Sequence, residues 1–166
     1  MNPGASPVGI DGYSPGDLGR VVELHGTYYQ RHWNLGRQFE ALVARGLADF
    51  LLAFDARHDG FWVARSGDSI AGSVSLVGPR EGEPARLRWF VVDESRQGQG
   101  IGQRLLDRAM QFCADTGCRH VYLTTFAGLD AARRLYERGG FRLTRETEDT
   151  TWGRPMIEQR FDWKAG

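Results

Sequence analysis

Cysteine is scarce in this chain, with only Cys113 and Cys118 among 166 residues. Their spacing gives neither a CxxC metal pair nor a disulfide framework, so no metal site and no covalent staple is expected. Charge of one sign is not in excess either. Lys plus Arg number 21 and Asp plus Glu number 21, which removes any broad attraction to nucleic acid or to an anionic membrane. No apolar run approaches the ~20 residues of a membrane span. The opening MNPGASPVGI lacks the basic and apolar regions of a secretory signal. These absences lead to the expectation of a reduced, soluble, cytoplasmic protein with no nucleic-acid or membrane partner, in which anion binding is local.

What is present suffices for one hydrophobic core, because 41% of the residues are hydrophobic and 25% charged. Residues 1–9, rich in Pro, Gly and Ser, read as a flexible tail, and residues 10–166 as a single domain. Leu18, Val21, Val22, His25 and Tyr29 recur at helical spacing and predict a helix over about 15–30. Phe39, Leu42, Val43, Leu47, Phe50, Leu51 and Phe54 predict a second. FWVAR at 61–65 and the alternation of Ile70, Gly72, Val74 and Leu76, joined by a Gly67-Asp68 turn, predict a hairpin.

ARLRWFVVD at 85–93 predicts a central strand, with Leu87, Trp89 and Val91 on one face and Phe90 and Val92 on the other. Leu105, Leu106, Ala109, Met110 and Cys113 then mark a helix ended by Gly117, and RHVYLTTF follows as a strand. Asp130 is placed to cap a short helix carrying Leu135 and Tyr136, stopped by Gly139-Gly140. FRLTRE at 141–146 and MIEQRFDW at 156–163 read as two closing strands, and Val8–Ile10 as one more short strand. The element order gives a mixed α/β (α+β) fold, a sheet with helices on its faces.

RQGQGIGQRLL, residues 96–106, joins the central strand to the helix after it. Free N–H groups at a helix start form an anion site, and glycines let a phosphate come close. A Walker loop would need GxxxxGK[ST], but Gly102 is followed by Gln103 and Arg104. A dinucleotide fingerprint would need GxGxxG and an acid after the next strand, and neither is present. A QxxGxG turn, Gln97 to Gly102, fits without a missing residue; so does a merely glycine-rich connection.

Two longer stretches decide between these. FVVDESRQGQGIGQRLLDRAMQFCADTG and AARRLYERGGFRL resemble the core strand, acyl-CoA loop, helix and later tyrosine segment of the GNAT superfamily of N-acetyltransferases. More narrowly, GLDAARRLYERGGFRL and WGRPMIEQRFDW look like the acetyltransferase domains fused to MarR-type regulators. The resemblance implies a mostly antiparallel sheet of six to seven strands flanked by about four helices, and acetyl-CoA as cosubstrate.

It also implies roles. Phe90, Val91 and Val92 would present backbone groups to pantetheine. The amides of Gly98, Gln99, Gly100, Ile101 and Gly102 would bind the pyrophosphate, with Gln97 shaping the turn and Arg96 and Arg104 as further phosphate contacts or solvated charges. Tyr136 matches the tyrosine that gives a proton to the departing thiolate. The family's asparagine seven residues earlier is Leu129 here, so that cofactor contact is in doubt.

A primary amine with pKa near ~10 must lose a proton before it attacks. Glu23 is the first candidate for that base, with His25 and Glu40 behind it; as bare sequence they read as solvated charges and a structural histidine. Tyr28, Tyr29, His32 and Trp33 could wall an acceptor pocket or simply cover the sheet. Arg88 and Trp89 should face opposite sides of their strand, and an Arg88 near the cleft would favour an acceptor with a carboxylate. Cys113 and Cys118 are not read as nucleophiles. The alternative is a non-catalytic acyl-CoA-sensing or protein-interaction module linked to transcription regulation. Exposed sheet edges would allow a homodimer.

Overall fold

The structure is a computed structural model that describes residues 6–166. In chain order the elements are β1 (Gly9–Asp11), α1 (Asp17–Trp33), α2 (Arg37–Leu52), β2 (Gly60–Ser66), β3 (Ser69–Val77), β4 (Ala85–Val92), α3 (Ile101–Thr116), β5 (His120–Phe126), α4 (Asp130–Arg138), β6 (Arg142–Asp149) and β7 (Met156–Lys164). One seven-stranded sheet runs β1-β2-β3-β4-β5-β7-β6. Every neighbouring pair is antiparallel except β4 and β5. The mixed α/β sheet with four α-helices is the predicted architecture. Of the segment read as a tail, residues 1–5 lie outside the described residues. The carbonyls of Ser6 and Val8 accept hydrogen bonds from Ser66 and Arg104, and Gly9 opens β1.

Helices cover both faces of the sheet. Leu105, Leu106, Ala109 and Cys113 of α3 pack with Leu76, Leu87, Val121 and Phe161. On the opposite face Val21 and Val22 of α1 and Phe39, Val43, Leu47 and Phe50 of α2 pack with Val63, Trp89 and Phe126. Of the glycines in α1, Gly26 lies at a close approach, since a Cβ there would stand 3.1 Å from Glu40 Cδ of α2, whereas Gly19 faces open space. The predicted second helix stops at Leu52, leaving Phe54 beyond it. Asp130 does not cap α4 through its side chain; it is the first helical residue, and the cap position falls to Leu129.

The main departure from the period-two reading is in β4. Trp89 adopts the left-handed region at φ +48°, and the pairing with β3 shifts register between Ser73 and Ser75. The Ser73 hydroxyl donates to the Trp89 carbonyl at 2.8 Å and ties down this bulge. A bulge inserts one residue and flips the side chains beyond it. Leu87 therefore belongs to the α3 side with Phe90 and Val92, while Trp89 belongs to the α1–α2 side. Arg88 does not oppose Trp89 as alternation predicts: its guanidinium carbon lies 4.2 Å over the Trp89 ring.

Candidate active site

β4 and β5 are partners only at Ala85–Val121 and Arg86–Tyr122. Beyond Arg86 the two strands part, and the side of β4 turned away from β3 has no strand partner along Phe90–Val92. The chain then turns through Gln97–Gly100 into α3. Gly98 and Gly100 sit at φ +80° and +78°, a conformation that side-chain-bearing residues adopt only with strain. Gly100 occupies the N-cap of α3 with no side-chain cap, so the first amides of the helix stay available for an anion. The Gln97 side chain donates to the Val92 carbonyl at 3.3 Å and holds the turn against the strand end.

A cleft of about 470 Å³ follows this opening. Phe90, Val91 and Val92 line it from β4, Gln97, Gly98, Gly100, Ile101 and Gly102 from the turn, and Leu129, Ala132, Leu135 and Tyr136 from α4 and its approach. Tyr28 and Tyr29 of α1 close it from the other side, and Arg96 and Arg138 add positive charge. Gln99 is not in the lining; its amide oxygen accepts from Arg96 at 3.2 Å. Arg104 turns away from the cleft and donates to the Val8 carbonyl at 2.9 Å. The cleft pairs apolar side chains of β4 and α4 with the helix-start amides at its glycine end, which suits a pantetheine arm ending in a pyrophosphate.

A second cavity, about 120 Å³, lies on the α1–α2 side. Tyr29, Phe90, Thr125 and Tyr136 line both spaces. His25, Arg86, Arg88, Thr124 and Glu158 supply its polar lining. Arg86 and Glu158 are functional candidates that sequence reasoning missed. Arg86 left a signal, a second arginine two positions before Arg88, whereas Glu158 comes close only through the pairing of β7 with β5.

Tyr136 is buried with its ring among Phe90, Phe141 and Phe161 at centroid distances of 5.9, 6.4 and 6.0 Å. Burial raises its phenol well above the ordinary value, with the neighbouring Tyr29 adding to the shift. It stays protonated throughout the neutral range. Burial likewise raises the Glu158 carboxyl, reinforced by Asp149. Arg88 is lowered to about 10 by burial, with Arg86 contributing, and is still cationic at neutral pH.

The remaining expected site residues are dispersed. Glu23 is exposed and lines a separate groove with Arg20, Arg31 and Asp68. Glu40 is exposed beside Gly26. Trp33 packs on Phe126 at 6.1 Å and lines another hollow with Arg154 and Met156. His32 pairs with Glu94 at 2.8 Å, next to the Arg31–Glu94 pair at 2.6 Å. Burial pushes the Cys113 thiol up to about 12, which leaves it inert as a nucleophile. Among the described residues no group of three His, Cys, Asp or Glu converges as a metal site would need, and no helix is long and apolar enough to cross a membrane.

His25 offers a check on this side of the sheet. Its Nδ1 donates to the Val21 carbonyl at 2.8 Å, and burial lowers the imidazole from 6.5 to about 4. Below pH 6.5 the unfolded chain takes a proton that the native protein refuses, so stability falls as pH drops toward 4. This group alone should cost about 3 kcal/mol across that window. Urea unfolding at pH 7 and 4.5 should show the decline in the native protein and a flatter profile in His25→Leu; parallel profiles would refute it.

A mixed sheet that opens between β4 and β5, with a glycine turn heading the next helix, is the architecture of the acyl-CoA-dependent acetyltransferases. Residues 18–141 match the acetyltransferase (GNAT) family, and the chain belongs to it. A mouse protein named probable N-acetyltransferase family 8 member 5 is 32% identical over 117 residues, covering 66% of this chain and 52% of its own length. A zebrafish N-acetylaspartate synthetase is 36% identical over 91 residues, 55% of this chain and 32% of that protein. The chain spans about half the length, or less, of the curated relatives it matches. Among solved structures, a GNAT-family acetyltransferase from Staphylococcus aureus superposes with TM-score 0.76 at 18% identity, covering 95% of this chain and 99% of its own. A putative acetyltransferase from Salmonella typhimurium, solved with its cofactor acetyl-CoA, superposes with TM-score 0.70 at 17% identity, covering 95% and 93%.

Proposed function

We propose that this protein transfers the acetyl group of acetyl-CoA to a primary amine by direct attack within a ternary complex. The observation that carries this reading is the position of Tyr136, whose side chain lines both the long cleft and the smaller polar cavity. With the pantetheine along Phe90–Val92 and the pyrophosphate on the Gly98–Gly102 turn, the thioester would lie near Tyr136 and the amine would come from the arginine side. The amine lone pair attacks the carbonyl carbon, the C–N bond forms and the C–S bond breaks. The CoA sulfur takes a proton, and the nitrogen gives one up. Tyr136 donates a hydrogen bond to the sulfur as negative charge develops there, and Glu158 is a nearer candidate than Glu23 for accepting the ammonium proton.

Three measurements test this. Acetyl-CoA should raise the melting temperature, and Gly100→Val, which forces a β-branched residue to φ +78°, should weaken acetyl-CoA binding about tenfold. An amine panel read by thiol release should then show turnover. No thermal shift with any acyl-CoA would refute the assignment. Binding without transfer would favour the second reading, an acyl-CoA sensor linked to transcription regulation, which the likeness of GLDAARRLYERGGFRL to MarR-fused domains supports.

A further inference from the structure

We propose that the amine acceptor also carries a carboxylate, and that the guanidinium groups of Arg86 and Arg88 hold it beside Tyr136. The proposal rests on the acetyltransferase reading and adds to it the chemical class of the acceptor. Arg86 and Arg88 are alternate residues on β4 before its bulge, and both line the cavity that Tyr136 also lines.

Neither arginine is neutralised. Among the described residues no carboxylate lies within ion-pair distance of either guanidinium. Arg86 donates one amino group to the Thr124 hydroxyl at 2.8 Å, while its Nε is buried with no partner. The Arg88 guanidinium carbon lies 4.2 Å over the Trp89 ring, and its Nη2 is 3.6 Å from where a Cβ on Gly46 would stand, an ordinary contact distance. Stacking satisfies its face and leaves its donor edges free.

Glu158 is the one carboxylate among the lining residues. It cannot balance two cations, and burial disfavours its charged form. Desolvated, unpaired guanidinium groups are costly, and a planar carboxylate matches their fork of donors. The cavity's small volume, about 120 Å³, suits a compact amine of this kind.

The test reads binding to the protein saturated with CoA, so it does not depend on turnover. Matched pairs are titrated by calorimetry: alanine against alaninamide, aspartate against its diamide, 4-aminobutanoate against butylamine. In at least one pair the carboxylate member should bind about 10- to 100-fold more tightly. Arg88→Gln should abolish that difference while leaving CoA affinity unchanged, and Arg88→Lys should restore part of it. Equal binding within every pair, no binding of any carboxylate member, or a preference that survives in Arg88→Gln would overturn the proposal. Failure of acetyl-CoA to bind would already have appeared in the thermal shift without acceptor, which separates loss of the acetyltransferase reading from loss of this one.

Discussion

Tyr136→Phe should lower kcat about 100-fold while leaving acetyl-CoA affinity nearly unchanged. The ring is held by Phe90, Phe141 and Phe161, so phenylalanine keeps the packing and removes only the hydroxyl. That hydroxyl is a weaker acid than an ordinary phenol because burial disfavours phenolate. A thiol has a pKa near ~8.5, so complete transfer to the sulfur is uphill, and the benefit comes from donating a hydrogen bond as negative charge develops there. The raised phenol also predicts no loss of kcat from this group between pH 6 and 9. Single-turnover kinetics with the preferred amine measure the effect. Unchanged turnover, or parallel losses of binding and rate, would remove Tyr136 from this hydrogen-bonding role.

The largest stability effect should come from Asp17→Ala, at about 3 kcal/mol, or roughly 6–12 °C in melting temperature. Asp17 is fully buried at the start of α1. Its carboxylate accepts from the Ser14 amide at 2.7 Å and from both terminal nitrogens of Arg65 at 3.1 and 2.9 Å. Removing it strands a guanidinium that is only 20% exposed, with Asp11 at 3.4 Å as its remaining partner. The helix it anchors carries His25, Tyr28 and Tyr29 to the site, so acceptor binding should suffer as well. Replacing both partners, Asp17→Leu with Arg65→Met, should recover part of the loss because no lone buried charge remains. A cost below about 1 kcal/mol by urea unfolding would contradict this anchoring role.

Both effects concern residues whose type the sequence displays but whose surroundings it does not. Tyr136 could be singled out from the segment LYERGGF, yet on an apolar stripe it looks like any core tyrosine. Asp17 looks like a first-turn helix charge. Its pairing with Arg65, 48 residues away, has no local signature. Glu23 and Glu158 form the sharper contrast. Glu23 is conspicuous on a helix thought to line the acceptor site, but the turn of α1 sends it to an exposed groove. Glu158 sits in the last strand, MIEQRFDW, with no local pattern that marks it as a site residue, and reaches the cavity through pairing with Phe126.

The sequence by itself determined the elements and their order, the glycine turn at the head of α3 and the face of each helix that is buried. These follow from short-range sterics and from the periods of helix and strand, which act within a few residues. Tertiary structure alone decided that β7 lies between β5 and β6, and that β4 parts from β5 after Arg86. It also decided that the bulge at Trp89 brings Arg88 and Trp89 to the same side. Each depends on backbone hydrogen bonds between residues far apart in the chain, and a single inserted residue reverses every face beyond it. The acceptor cavity, with Arg86, Arg88, Tyr136 and Glu158 drawn from three separate elements, exists only at that level.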